Sequence, residues 1–128
     1  DGSTQSVTVP DYAAINPGTG DLSIDAWVKR DPASGTCVRI IVDKRDSTPI
    51  GYSLSVSFDN LVFQLADNGP FPGFTNYRDT GIVPADDQWH FVAVTVTRNS
   101  TTVGQFYVDG NPNGTFDPPG RQLTLNNT

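Results

Sequence analysis

The chain contains no methionine and no glutamate, a single cysteine, a single histidine and only eight basic residues among 128. Each scarcity excludes something. All fourteen acidic residues are aspartates, so the glutamate pair with which many glycosidases donate a proton and attack or activate water is missing. Adjacent aspartates Asp86 and Asp87 do not replace it, because neighbours on an extended chain point to opposite sides. A Ser-His-Asp centre would have to use His90, which falls inside a predicted strand beside Trp89 and is read as structural. Phosphate-cradling glycine loops, Cys/His zinc clusters and dinucleotide fingerprints are absent as well. The sequence therefore predicts a protein that is not an enzyme.

One cysteine cannot form an internal disulfide. Cys37 opens the apolar run Cys37-Val38-Arg39-Ile40-Ile41-Val42 and is read as a small buried hydrophobe rather than a reactive thiol. A chain without methionine is expected to be a processed or excised part of a longer product. No apolar run approaches the ~20 residues of a membrane span, which predicts no membrane insertion. The net charge of −6 repels phosphate backbones, so no nucleic-acid partner is expected.

Short β-rich segments between Gly, Pro, Asn and Asp turns fill the rest of the chain, without a sustained 3.6-residue apolar period. The class is all-β, an antiparallel jelly-roll β-sandwich formed as a single domain. Strands are predicted at Gln5–Val9, at Asp21–Lys29 and at Cys37–Lys44, the last buried on both faces. In the second, Leu22, Ile24, Ala26 and Val28 share one face, and Ser23, Asp25, Trp27 and Lys29 the other. Tyr52, Leu54, Val56 and Phe58 line one face of a fourth strand, which turns at Asp59-Asn60 into Leu61–Ala66. Residues 67–77, with Asn68-Gly69-Pro70 and Pro72-Gly73, read as a long surface loop. Trp89–Thr97, Val103–Asp109 and Gly114–Phe116 complete the set, with turns at 99–102 and at Asp109-Gly110.

Trp89-His90-Phe91-Val92-Ala93 followed by Tyr107-Val108-Asp109-Gly110 resembles the laminin-G-like branch of the concanavalin A-like jelly rolls, relatives of the pentraxins. Asp1-Gly2 with Val7-Thr8-Val9-Pro10, Leu22-Ser23-Ile24-Asp25-Ala26-Trp27-Val28 and Gly51-Tyr52-Ser53-Leu54 match further phrases of that family in the same order. The resemblance implies a binding module, and it implies closing strands that the chain lacks after Asn126-Asn127-Thr128. A partner chain, or a continuation of this one, is then expected to complete the sandwich, because open edges and bare inner faces promote association. The resemblance to pentraxins also implies a calcium ligand at Asp46, although Ser47 stands where that family has Asn. Asp1 is a further calcium candidate, and the laminin-type aspartate before Gly51-Tyr52 is replaced by Pro49-Ile50.

Carbohydrate recognition by a β-sandwich pairs aromatic faces, which stack on the apolar faces of sugar rings, with Asp, Asn and Arg that bond hydroxyls. Asp67, Asn68, Phe71, Phe74, Asn76, Tyr77 and Arg78 supply that mixture within twelve positions. Phe71 and Phe74 either stack on sugar or cap the core beneath the loop. Trp27, among Ser23, Asp25 and Lys29, either floors a polar groove or packs beneath a covering loop, and Trp89 is read as a packing residue. Three N-x-Ser/Thr triplets, at Asn99, Asn113 and Asn126, would matter in a eukaryotic secretory host. With abundant Thr, Ser and Asn, the composition points to an extracellular, secreted or cell-surface setting. The sequence reading is thus a non-catalytic recognition or adhesion module for a glycan or glycoprotein. The alternative is a structural module whose open edges pair with another protein and bind no sugar.

Overall fold

The computed structural model describes residues 5–35, 37–48, 50–98, 104–118 and 120–127. Within them the chain forms eight strands: β1 Leu22–Lys29, β2 Arg39–Asp43, β3 Ile50–Ser57, β4 Asn60–Asp67, β5 Phe74–Arg78, β6 Trp89–Val96, β7 Gly104–Val108 and β8 Asn111–Phe116. Two 3₁₀ turns, Ala13–Ile15 and Pro32–Ser34, flank β1. The strands divide into two four-stranded antiparallel sheets, ordered β1-β6-β7-β8 and β2-β3-β4-β5. The antiparallel jelly-roll sandwich expected from the alternating pattern is the fold that forms. No helix among the described residues is long and apolar enough to cross a membrane.

Alternation decides which residues face inward. Leu54, Val56, Leu61, Phe63 and Leu65 from one sheet meet Val92, Val94, Val96 and Phe106 from the other, all buried. The Tyr77 ring of β5 stacks on Phe116 of β8, with centroids 4.4 Å apart, and joins the sheets along that side. On the opposite side β1 and β2 leave more room. Leu22, Ile24, Ala26, Val28, Ile41 and Val42 are only partly buried there, and a cavity of about 560 Å³ opens between Val7, Val9, Tyr12, Ile41, Val42 and Tyr52. Among the described residues the sandwich is therefore closed at β5/β8 and open at β1/β2.

The segment after β8 is pinned by charge. Arg121 of this segment is buried and donates to Asp67 at 2.9 Å, to Thr75 Oγ1 at 2.9 Å and to the carbonyls of Pro70 and Phe74. Asp67 also accepts the Leu123 and Gly69 backbone N–H groups. Burial alone would raise its pKa, but Arg121 and these amides outweigh it and hold the carboxyl below its ordinary range. Arg98, wholly buried, donates to the carbonyls of Gly18, Arg121 and Leu123.

Several local expectations are corrected. Residues 5–9 form no strand, and Val7 and Val9 are exposed. The third strand is shorter than predicted, and Cys37 lies before it, exposed rather than buried, because β2 is an edge strand that covers one face only. Phe58 leaves the inner face: Phe58 and Asp59 both take positive φ, so the turn falls one residue early and its ring is 60% exposed. The presumed loop 67–77 contains β5, since Asp67 ends β4 and the turn occupies only 68–73. Trp89 does not pack inward either, being 63% exposed on the outer face. The hairpin at Asp109-Gly110 forms as predicted, with both residues at positive φ, and β8 starts at Asn111 rather than Gly114. Asp1-Gly2, the turn at 99–102, the Asn99 triplet and Val103 lie outside the described residues.

Candidate functional site

The outer face of the β2-β3-β4-β5 sheet carries a groove whose shape follows from β3. Tyr52, Leu54 and Val56 point into the core, so the intervening Gly51, Ser53, Ser55 and Ser57 point out and give the middle of the sheet a floor of small side chains. Gly51 has no substitute, since a Cβ there would sit 1.9 Å from the Lys44 carbonyl oxygen at a φ of +125°. Taller residues on the flanking strands form the walls. Register sets Asp43, Ser53, Gln64 and Asn76 in one row across the sheet, and Ile40, Ser55, Val62 and Arg78 in the next. The enclosed space is about 390 Å³.

A polar bridge crosses the groove at the first row. Arg45 grips Asp43 through Nε and Nη2, at 2.6 and 2.5 Å, and its Nη1 donates to Gln64 Oε1 at 2.7 Å. Gln64 Nε2 in turn donates to Asn76 Oδ1 at 2.6 Å. The Asp43 carboxylate raises the Arg45 pKa. Beyond the bridge lies a second hollow of about 330 Å³, lined by Asp43, Asp46, Ser47 and Phe74. At the other end Arg78 donates to the Ser57 carbonyl at 2.7 Å and lies over the exposed Phe58 ring, 5.9 Å from its centroid. The groove thus offers hydroxyls, amides and two guanidinium groups between Phe58 and Phe74. That set bonds polyhydroxylated ligands and stacks against their apolar faces.

The structure distributes the sequence-predicted residues over four places. Phe74, Asn76 and Arg78 meet in the groove. Asp67 and Tyr77 do not, because alternation turns both inward: Asp67 is buried against Arg121 and Tyr77 is stacked on Phe116. Asn68 sits in the 68–73 turn at positive φ, and Phe71 stands at its tip, 99% exposed and capping nothing. Trp27 shares the outer face of the other sheet with Ser23, Asp25 and Lys29, as its spacing predicts. No described loop covers it: the ring is 63% exposed and leans on Phe91, at 5.6 Å between centroids. Sequence reasoning missed Arg45, Ser53, Ser55, Ser57, Phe58 and Gln64. The signal was the run Gly51-x-Ser53-x-Ser55-x-Ser57, one small residue at every second position opposite a fully apolar face.

Asp46, the residue implied as a calcium ligand, is exposed in the stretch between β2 and β3. Asp46 accepts a hydrogen bond from the Thr48 hydroxyl at 2.6 Å, and its neighbour Asp43 is already held by Arg45. Among the described residues there is no group of three or more His, Cys or acidic side chains placed to hold a metal ion. His90 lies between two carboxylates, with Nδ1 2.7 Å from Asp109 and Nε2 3.0 Å from Asp86. Both carboxylates raise its pKa, Asp109 foremost. Through these two contacts His90 ties the start of β6 to the β7–β8 turn.

Comparison with known proteins places this geometry. The chain is similar in structure to a botulinum neurotoxin type C structure described for its interaction with two ganglioside molecules in cell entry (19% identity, TM-score 0.60). It is also similar to the binding domain of botulinum neurotoxin serotype C1 (19% identity, TM-score 0.62), and each match covers 83% of this chain and 26% of the toxin chain. Domains LG4-5 of the mouse laminin α1 chain match at 16% identity and a TM-score of 0.51, over 94% of this chain and 34% of that one. This chain therefore spans 26–34% of the length of these structures, and at such identities the likeness is one of fold. No curated protein sequence matches it. A sequence profile described as the concanavalin A-like lectin/glucanases superfamily, of laminin-G type, matches residues 1–128, and the chain belongs to that family.

Proposed function

We propose that this protein is a non-catalytic, extracellular or cell-surface recognition module that binds glycan in the groove along β3. The observation that carries the reading is the serine floor walled by Arg45, Gln64, Asn76 and Arg78, with an exposed aromatic ring at each end. Ser53 and Ser55 are 6% and 8% exposed, and small polar residues at every outward position of β3 keep the floor low between the taller side chains on either side. Such residues leave room for something to lie on them. The site lies on the sheet rather than in a loop, and of the residues expected between 67 and 78 it uses Phe74, Asn76 and Arg78. Similarity to ganglioside-related and laminin structures supports a binding role.

A glycan array probed with the full chain and with Ser55→Phe tests it. Ser55 is itself only 8% exposed, so melting of the variant is followed beside the array to show that it folds, and Asn76→Ala, at an exposed wall residue, should lose retention with melting within about 2 °C of the parent. Retention of oligosaccharides by the parent and its loss in both variants is the expected result. Equal retention by parent and variants, or none by any of them, sinks the reading.

The half-buried apolar residues of β1 and β2 and the cavity beside them favour a second, compatible role for the open side. There a strand from a partner chain, or from a continuation of this one, would pair with an edge and cover Leu22, Ile24, Ile41 and Val42. Native mass spectrometry distinguishes this from a chain that stays monomeric on its own.

A further inference from the structure

We propose that the serine-floored half of the groove is an anion subsite, and that the sugar it accepts carries a carboxylate or sulfate received by the Arg78 guanidinium. The inference rests on the glycan reading above and names its ligand class. The protein carries a net charge of −6, yet the described residues lining this half include no aspartate, and its two charged side chains are Arg45 and Arg78. With Arg45 paired to Asp43, the charge this half presents to a ligand is that of Arg78.

The two arginines are not equivalent. Arg45 is neutralised by the two-point grip on Asp43. Arg78 makes no ion pair among the described residues. Asp79, next in sequence, is buried on the other side of the chain and bonded to Asn113 at 2.6 Å. The Ser57 carbonyl takes one Arg78 N–H, and the Phe58 ring supports the plane of the guanidinium. This orients the fork while leaving further donors for a planar carboxylate or a sulfate. Across the Arg45 bridge the remaining charge changes sign, since Asp43 is taken up by Arg45 and Asp46 lines the far hollow. An anionic substituent is therefore attracted at the Arg78 end and repelled at the other, which fixes the direction in which an acidic chain lies.

Titration of the full chain with sodium glucuronate and, separately, with glucose tests this, following the Arg78 side-chain N–H and the Ser55 and Ser57 amides by ¹H–¹⁵N NMR. Glucuronate should shift these signals saturably, at least about tenfold more tightly than glucose. Arg78→Gln should abolish the response, Arg78→Lys should weaken it by losing the fork, and added salt should weaken it for the parent. Equal responses to the two sugars, no response to glucuronate, or a glucuronate response surviving in Arg78→Gln would overturn the proposal. An array of matched neutral and uronate- or sulfate-bearing oligosaccharides separates it from the underlying reading. Retention of neutral glycans alone, lost in Ser55→Phe, keeps the glycan groove and overturns the anion subsite. Glucuronate binding at Arg78 with no oligosaccharide retained keeps the subsite and overturns the glycan groove.

Discussion

Replacing Arg121 by methionine keeps most of the side chain's length and removes its charge, leaving the Asp67 carboxylate buried with only two backbone amides as partners. Breaking a buried ion pair from one side costs about 3–5 kcal/mol, because the remaining charge is stranded. For a chain of this size that lowers the melting temperature by about 12–20 °C at pH 7. The double variant Asp67→Asn/Arg121→Met removes both charges and should recover most of the loss. Asp67→Asn alone should be poor, since it strands the Arg121 guanidinium. Acid provides an independent check. In the parent the Asp67 pKa is depressed, so its contribution is complete above the ordinary carboxylate pKa and is lost as pH falls through the lower folded value. In Arg121→Met the carboxyl should titrate above its ordinary value, and its penalty disappears on acidification. The two stability curves should therefore converge towards pH 3. Urea unfolding followed by tryptophan fluorescence at several pH values measures all of this. A loss below about 1 kcal/mol for Arg121→Met, or a double variant no more stable than the single one, would refute the account of a stranded charge.

Asp79 is buried, its Oδ1 has no hydrogen-bond partner among the described residues, and burial raises its pKa. Its ionisation therefore costs stability above the ordinary carboxylate pKa, and Asp79→Asn should stabilise by about 1 kcal/mol at pH 7 and by nothing near pH 3, in urea titrations. The His90 ring should titrate above its ordinary 6.5 by NMR and fall towards it in Asp109→Asn. The stability it contributes is then full below that ordinary value and fades as pH rises through the folded one. Tyr77→Ala should cost about 2–4 kcal/mol by calorimetry, because it removes the ring stacked on Phe116, whereas Asn76→Ala next to it should weaken oligosaccharide retention at unchanged stability. Exposed Cys37 should react fully with a thiol reagent in the native protein, without denaturant.

The sandwich was legible because period-two alternation and glycine- or aspartate-containing turns are local signals, and the β6 to β8 region follows them closely. The sheet edge was not legible. An edge strand such as β2 reads as apolar as a central one, so Cys37 was assigned a burial that only a neighbouring strand could have provided. Phe58 failed for a related reason: hydrophobicity placed it inside, but the backbone had already turned. The site was half legible. Phe74, Asn76 and Arg78 were found by residue type, but assigning 67–77 to one loop hid the alternation that sends Asp67 and Tyr77 inward and Asn76 and Arg78 outward. The serine floor escaped because serine announces no chemistry until register lines it up beside Gln64 and Arg78.

The unequal closure of the two sides gives the molecule a spine and a fore-edge, as in a bound book. The Tyr77–Phe116 stack holds the spine, and little apolar surface binds the leaves at β1 and β2. Opening motions should therefore start at the fore-edge and stop at the spine. The outer amides of β1 and β2 would exchange with solvent deuterium early, while those of β4 and β7 would wait for global unfolding. The groove lies across both regimes. Its Arg78 wall stands on β5 at the spine and its Ile40 wall on β2 at the fore-edge, so breathing widens the groove from one side only.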